Sequence, residues 1–373
     1  MMTYFVTGAT GAVGSAIVPR LLEDQDTNVY LLLRAGSEKN LGERLESLFR
    51  YWGITPDDAA RRRRVHPLRG DVTSDRLGLD LAVYDQLASV CTHIVHCAGQ
   101  VRMTLPLEEA RRQAVDAASE VLALGARCRE HGQLHKVEFV STVGVSGRAG
   151  GVLAEEWATE RREFHNTYEA AKAEAELLVA ATIDQGLPVT VHRPSMVVGE
   201  SRDGRIIHFQ VFYHLCEFLS GRRSRGLCPA LGTARLDTIP VDYVADAIVW
   251  SSQIRDTSGH ILHLCSGPEQ AIALADLRVR VRKIFAKRGF GVPRGKTIPL
   301  SLFRIGLPLS AAFAPAKQRR ALRTLPIFLD YLGEDQAFAN EKTQPLLAKA
   351  GIHLPAPKDY IETVLDYYLT LSR

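Results

Sequence analysis

The sequence predicts an α/β fold, a doubly wound parallel sheet followed by a smaller, mainly helical C-terminal domain. Three observations carry that expectation. Up to about residue 145, short apolar runs alternate with longer amphipathic ones, the pattern of successive βαβ units. A glycine-rich turn follows the first apolar run directly and opens an amphipathic stretch. The length of 373 residues exceeds what one hydrophobic core normally organises, so a main domain with a satellite is expected.

The elements follow in order. Candidate strands lie at residues 3–7, 29–33, 65–68, 93–96 and 136–141, short apolar runs between the amphipathic stretches. Residues 14–23, 41–51 and 110–128 repeat apolar residues at three- and four-residue spacing and read as helices. A helix rich in Ala and Glu at 166–181 precedes a sixth strand at 189–192. Beyond Gly199 the pattern changes. Residues 201–232 are rich in Arg, Gly and aromatics, 236–239 and 261–265 look like strands again, and about 268 to 373 reads as helical. The expected division is a first domain of residues 1–200 to which 235–265 return, and a second region made of 201–234 and 266–373.

Composition narrows the class. With 46% hydrophobic and 24% charged residues the chain is an ordinary globular protein, without the bias of disorder or of a fibrous repeat. A net charge of +4 gives no strong case for nucleic acid, although an anionic ligand or an acidic carrier would be welcome on a basic face. Arg61 to Arg64 read as a solvated helix end, and Arg222, Arg223 and Arg225 form a second basic cluster. The six cysteines are scattered without a C-x-x-C pair, which disfavours zinc and a disulfide framework and predicts reduced thiols in a cytoplasmic protein. The N-terminus enters a strand-like run at Thr3, leaving no room for an export signal. The apolar stretch 298–313 is broken by Arg304 and two prolines and is too short to span a bilayer.

The glycine turn reads Thr7-Gly8-Ala9-Thr10-Gly11-Ala12-Val13-Gly14. With a strand before it and a helix after it, this is the arrangement of a Rossmann-type dinucleotide site. Glycine permits the sharp turn and close backbone approach, and the amides at the helix start attract a pyrophosphate. At the end of the second strand, where an NAD-specific enzyme usually places an acid, stands Arg34. A guanidinium there favours the 2′-phosphate of NADP(H), with Arg44 as a second partner. Asp71, followed by Val72, ends the third strand, where a carboxylate can accept from the adenine amino group. Cys97, Ala98 and Gly99 end the fourth strand and supply small residues where the dinucleotide passes, while His96 reads as a packed strand-end histidine.

Tyr168-Glu169-Ala170-Ala171-Lys172 places a phenol and an ammonium on one helical face. A nearby cation is expected to stabilise phenolate and lower the phenol pKa, so that Tyr168 can pass a proton. The same lysine can hold the nicotinamide ribose beside a substrate carbonyl. Ser141 and Thr142 end the fifth strand, at the sheet edge where open α/β folds bind ligands, and offer hydroxyls to a developing oxyanion. Pro194, Ser195, Met196 and Val197 follow the sixth strand and join the expected dinucleotide contacts.

In this order, from Thr3 to about Ala247, the motifs resemble the extended short-chain dehydrogenase/reductase family, and most closely its thioester reductase and fatty acyl-CoA reductase branch, the male sterility type. The phrases that carry the resemblance are Leu32-Leu33-Arg34-Ala35, Arg69-Gly70-Asp71-Val72, Val140-Ser141-Thr142-Val143 and Gly186-Leu187-Pro188-Val189. Two more are Arg193-Pro194-Ser195-Met196-Val197-Val198-Gly199 and Ile239-Pro240-Val241-Asp242-Tyr243-Val244-Ala245. The resemblance implies a triad of Thr142, Tyr168 and Lys172 with Ser141 as a second hydroxyl, and NADPH as reductant. It also implies attack on an acyl thioester, giving a hemithioacetal that collapses to an aldehyde, with a second reduction leading to the alcohol. Ala114 and Ala117 stand where the family commonly has Asn and Gly, so no proton relay through that Asn is implied, and Gly99 replaces a frequent Ala. No activating or carrier segment is recognisable, so a thioester would arrive as a CoA ester or on a separate protein.

Other readings share these motifs. The same triad serves ketone and aldehyde reductases and enzymes of sterols or sugar nucleotides, and a noncatalytic NADP-binding regulator could keep the fold. Peripheral membrane contact through Phe303, Leu307, Leu309 and Phe313, beside the basic run Lys317-Gln318-Arg319-Arg320, is a further expectation.

Overall fold

The computed structural model describes residues 1–158, 162–303 and 336–372. Seven parallel strands form the central sheet: β1 (Met2–Thr7), β2 (Thr27–Leu33), β3 (Val65–Arg69), β4 (His93–His96), β5 (Lys136–Val140), β6 (Val189–Pro194) and β7 (Ile261–Leu264). Their order across the sheet is β3-β2-β1-β4-β5-β6-β7, and every pairing is parallel. The direction of winding reverses between β1 and β4, and the crevice above that switch point is where open α/β sheets take ligands.

Both faces of the sheet are covered. Helices α1 (Ala12–Leu21), α2 (Glu38–Trp52) and α7 (Val241–Ser252) pack Ile17, Leu48 and Val244 on one face. Helices α3 (Leu81–Val90), α4 (Ala117–Glu130) and α5 (Thr167–Asp184) pack Leu87, Val121 and Ala175 on the other. A third core joins α6 (Val211–Leu219), α8 (Leu274–Lys287) and α9 (Pro357–Leu371) through Phe212, Val281 and Val364. Residues 241–264 thus add a helix and the edge strand to the main sheet, whereas 211–219 and 274–287 belong to the third core.

Two expectations about elements are corrected. Residues 110–128 do not form one helix: Leu107–Arg111 is followed by a π turn, Arg112–Asp116, before α4 begins. A π turn inserts one extra residue without disturbing the apolar spacing enough to be read. Residues 236–239 do not form one strand. Arg235–Leu236 pairs antiparallel with Ile272–Ala273, Thr238–Pro240 pairs parallel with Met196–Val198, and Asp237 lies between. The Asp237 carboxylate accepts from Ser266 N at 2.8 Å and Gly267 N at 3.1 Å, and these bonds turn the chain there.

All six cysteines are free thiols. Among the described residues no helix is long and apolar enough to cross a membrane. Phe303 is buried against Phe218, so it is not presented for the membrane contact expected of it. The other residues of that expectation, Leu307, Leu309, Phe313 and the run 317–320, lie outside the described residues.

Candidate active site

The glycine turn is shaped by close approach. Gly8 has φ +77°, and a Cβ on it would lie 2.6 Å from Ala98 N. A Cβ on Gly14 would lie 2.4 Å from Gly8 O. The turn therefore packs backbone to backbone against the end of β4 and under the first turn of α1, which only glycine allows. Gly11 caps α1 without a side-chain hydrogen bond, and no acid occupies the first turn. The helix-start amides are thus left for an anion, and the residues present fit a dinucleotide pyrophosphate.

At the end of β2, Arg34 is 57% exposed and its guanidinium lies 3.9 Å from the Asp71 carboxylate. Arg44 donates to the Arg34 carbonyl at 2.8 Å, and Asp71 accepts from Thr73 N and Oγ1 at 3.0 Å. At the end of β4, the Thr7 hydroxyl meets His96 Nδ1 at 2.8 Å and accepts from Ala98 N at 3.3 Å. Thr7 is fully buried, so its part is to join β1 to β4. Burial, and then the charge of Lys172, lower the His96 pKa to about 3, so the ring is neutral. Burial pushes the Cys97 thiol up to about 12, which leaves it protonated and unreactive.

The catalytic candidates meet above β5. Helix α5 begins there because the N-cap Asn166 accepts from Glu169 N at 3.0 Å while the Glu169 carboxylate reaches back past it to accept from His165 N at 3.0 Å. Tyr168 stands in the first turn and Lys172 one turn on. Lys172 donates from Nζ to Val140 O at 2.8 Å and lies 4.6 Å over the Phe139 ring. Burial lowers its pKa to about 8, opposed by Glu176 and Cys97. Thr142 accepts from Gly144 N at 3.2 Å and lines the same cavity as Tyr168. The Ser141 hydroxyl, in a residue 4% exposed, has no partner among the described residues.

The expected effect of Lys172 on Tyr168 is not what the structure shows. Burial, with the Glu169 charge second, raises the phenol to about 12, and the Thr142 hydroxyl opposes this only in part. The ammonium is directed at the Val140 carbonyl and the Phe139 face instead. A phenol held protonated at neutral pH is a proton donor, the form that carbonyl reduction needs.

One cavity of about 350 Å³ joins these parts. Gly11, Ala12, Val13, Cys97, Ala98 and Gly99 line one end; Ser141, Thr142, Tyr168 and Lys172 line the middle, with Pro194, Ser195, Met196 and Val197 beside them. Thr7, Gly8, Thr10, Gly14, Arg34, Arg44, Asp71 and Val72 lie outside its lining. The far end is apolar, walled by Phe212, Leu215, Phe218 and Leu219 of α6 with Leu231 and Leu274.

Sequence reasoning missed that wall, although Phe212, Leu215 and Leu219 recur at three- and four-residue spacing. It also missed the Arg193–Glu176 pair. Arg193 is 1% exposed and grips Glu176 with Nε at 3.0 Å and Nη2 at 2.6 Å, tying α5 to β6 one turn beyond Lys172.

A dinucleotide-binding sheet with Tyr168, Thr142 and Lys172 lining one cavity with its glycine turn defines an NAD(P)H-dependent oxidoreductase of the extended short-chain dehydrogenase/reductase type. Residues 6–248 match the family described as male sterility protein, an NAD-binding domain, and the chain belongs to that family. Among curated relatives it is 27% identical over 264 residues to a linear gramicidin synthase polypeptide of Brevibacillus parabrevis, covering 69% of this chain and 5% of the relative. It is 29% identical over 246 residues to an isonitrile lipopeptide synthase of Streptomyces coeruleorubidus, covering 65% and 16%. An aldehyde reductase of Aspergillus flavus is 27% identical over 268 residues, covering 70% and 25%. The chain thus spans at most a quarter of the length of these three relatives. The terminal R domain from the myxalamid PKS-NRPS biosynthetic pathway superposes with a TM-score of 0.82 at 26% identity, covering 100% of this chain and 91% of that one. The reductase domain of a nonribosomal peptide synthetase from Mycobacterium tuberculosis shares the fold, with a TM-score of 0.76 at 21% identity, covering 100% and 92%.

Proposed function

We propose that the chain uses NADPH to reduce an acyl thioester, presented as a CoA ester or on a carrier protein, to the aldehyde, and on to the alcohol when the aldehyde is reduced again. The observation that carries this reading is the continuous cavity, which passes from the start of α1 across Tyr168, Thr142 and Lys172 to an apolar wall. Such a wall suits an acyl chain and disfavours a sugar nucleotide. Similarity to reductase domains of peptide and polyketide synthetases supports the thioester as the reacting group.

In this reading residues 1–200 with 235–265 bind the nucleotide, and 201–234 with 266–373 bind the substrate. The helix-start amides at Ala12 and Val13 hold the pyrophosphate, the Gly11 amide being taken by Gly8 O at 2.8 Å, and Cys97 to Gly99 with Pro194 to Val197 flank the nicotinamide half. Arg34 and Arg44 favour the 2′-phosphate; Arg34 is exposed and only loosely paired with Asp71, which leaves its fork available. Bound NADPH supplies the hydride that adds to the thioester carbonyl carbon. Thr142 and Ser141 donate hydrogen bonds to the carbonyl oxygen as it gains charge, a role open to Ser141 because its hydroxyl has no partner among the described residues. Tyr168 gives that oxygen its proton, yielding the hemithioacetal. Breaking the C–S bond then releases aldehyde and thiol. Lys172, fixed by the Val140 carbonyl and the Phe139 ring, orients the ribose.

The test is incubation of the purified protein with NADPH and a panel of medium and long acyl-CoA esters, following NADPH absorbance and identifying products by mass spectrometry. Aldehyde or alcohol that disappears in Tyr168→Phe supports the proposal. Turnover restricted to ketones or aldehydes would replace it with a carbonyl reductase.

A further inference from the structure

Helix α6 runs along the apolar part of the cavity, and its two ends have different surroundings. Its inner face, from Val211 through Phe212, Leu215 and Phe218 to Leu219, lines the cavity over the length of the helix. Near the N-terminal end, Gly199 N donates to the Tyr213 hydroxyl at 3.0 Å. That bond holds this end beside Met196–Val198, on the side of the catalytic groups. The C-terminal end is closed off. Gly226 N donates to Gly221 O at 2.8 Å, folding the chain back directly after the helix, and Arg282 of α8 donates to Ser220 O at 2.9 Å. The Phe303 ring packs edge-on against Phe218 with centroids 5.7 Å apart. Exposure runs the same way: Val101, beyond Gly99 on the cofactor side, is 48% exposed, whereas Leu219 is 1% exposed. Among the described residues the cavity therefore opens at the catalytic end and stops blind at Phe218, Leu219 and Leu231.

The length of that slot follows from the helix beside it. From Val211 to Leu219 the axis rises about 12 Å, at about 1.5 Å per residue. An extended carbon chain advances about 1.3 Å per carbon, from single bonds of about 1.5 Å, so about nine carbons lie beside α6. Volume agrees with length. Nine methylenes, each close to a water molecule's share of about 30 Å³, take up most of the 350 Å³ and leave room for a nicotinamide ring at the other end. We propose that α6 measures the acyl chain: with the carbonyl carbon held among Ser141, Thr142 and Tyr168, straight acyl groups of about ten to twelve carbons fill the pocket, and Phe218, Leu219 and Leu231 stop longer ones. The inference rests on the thioester reading above. A longer chain must push the stop into the third core, where Val281 and Phe285 already fill the space behind it, an overpacking. A shorter chain leaves apolar wall uncovered and forfeits about four-fold in kcat/KM per carbon, the equivalent of about 0.8 kcal/mol per methylene.

The experiment measures kcat/KM of the full chain with NADPH and straight-chain acyl-CoA esters from hexanoyl to hexadecanoyl, each below its micellar concentration. The value is expected to rise about four-fold per carbon to decanoyl- or dodecanoyl-CoA and to fall about ten-fold or more by hexadecanoyl-CoA. Two variants move the stop in opposite directions. Leu219→Ala deepens the pocket and should raise the ratio of tetradecanoyl- to decanoyl-CoA about ten-fold. Leu231→Phe shortens it and should lower the ratio of dodecanoyl- to octanoyl-CoA about ten-fold. A wild-type profile that climbs through hexadecanoyl-CoA, or peaks at hexanoyl-CoA, would overturn the proposal. So would a profile unmoved in both variants at unaltered thermal midpoint. If Leu219→Ala is misfolded, Leu219→Val takes its place, with a rise of about four-fold expected in the same ratio. If the wild type reduces no thioester, the thioester reading fails by itself. Calorimetric binding of straight-chain fatty acids from hexanoic to hexadecanoic, to wild type and variants, then decides the length limit by the same criteria.

Discussion

Replacing glycines by alanine at three positions separates packing from propensity in a way the geometry makes quantitative. Gly14 lies in α1, where alanine would ordinarily stabilise the helix by roughly 0.5–1 kcal/mol. Its added Cβ would meet Gly8 O at 2.4 Å and Gly8 C at 2.8 Å. Ordinary contact begins near 3.4 Å, so α1 and the glycine turn must part by about an ångström, an overpacking that costs roughly 1–3 kcal/mol. The collision outweighs the propensity gain, with a net loss of about 0–2.5 kcal/mol. The functional loss is larger, because a shift of about 1 Å in a positioned group can cost on the order of a hundred-fold. Gly14→Ala is therefore expected to raise KM for NADPH about ten- to a hundred-fold, measured by steady-state kinetics, with a small fall in denaturation midpoint. Gly99 and Gly42 have nothing within 4 Å of an added Cβ. Gly99→Ala should leave KM for NADPH unchanged, and Gly42→Ala, within α2, should raise stability by about 0.5–1 kcal/mol. Unchanged NADPH kinetics in Gly14→Ala, or a loss as large in Gly99→Ala, would refute the claim that this close approach shapes the cofactor site.

Arg193→Met leaves the Glu176 carboxylate buried without its partner and should cost about 3–5 kcal/mol in chemical denaturation, most of it recovered in Arg193→Met/Glu176→Leu; additive losses would contradict this. Lys172 has a folded pKa near 8, below its ordinary value of 10.5, so at pH between the two the unfolded chain binds more protons. Its contribution to stability should therefore rise as pH increases from about 8 to about 10.5, and this rise should be absent in Lys172→Met. Over the same range loss of the ammonium should lower turnover above about pH 8, read from the pH profile of kcat. Arg34→Ala should raise KM for NADPH about ten-fold while leaving NADH kinetics unaltered; equal effects on both cofactors would remove Arg34 from the 2′-phosphate site.

Much of the sheet was legible because parallel strands buried on both faces are near-continuous apolar runs, as in Tyr4-Phe5-Val6 and Val189-Thr190-Val191. The glycine turn was legible for a similar reason, since few other sequences permit so close a backbone approach. Tyr168 and Lys172 declared themselves by helical spacing, but the phenol's pKa did not. Its value follows from burial and from Glu169, whereas Lys172 turns toward Val140, a choice set by tertiary packing. The split at Asp237 and the π turn at Arg112–Asp116 escaped for the same cause: each depends on a hydrogen-bond geometry that apolar periodicity does not encode. The wall on α6 was masked by the arginines and glycines that follow it, although its own spacing was regular.

The most direct test of thioester reduction follows the hydride. The protein is given NADPH deuterated at C4 of the nicotinamide and dodecanoyl-CoA, and products are resolved by mass spectrometry. The expected product is dodecanal carrying one deuterium at C1, or the alcohol derived from it, with free CoA released in equal amount and neither formed by Tyr168→Phe. Unlabelled or absent aldehyde, with label passing instead to a ketone or aldehyde supplied in place of the thioester, would contradict thioester reduction.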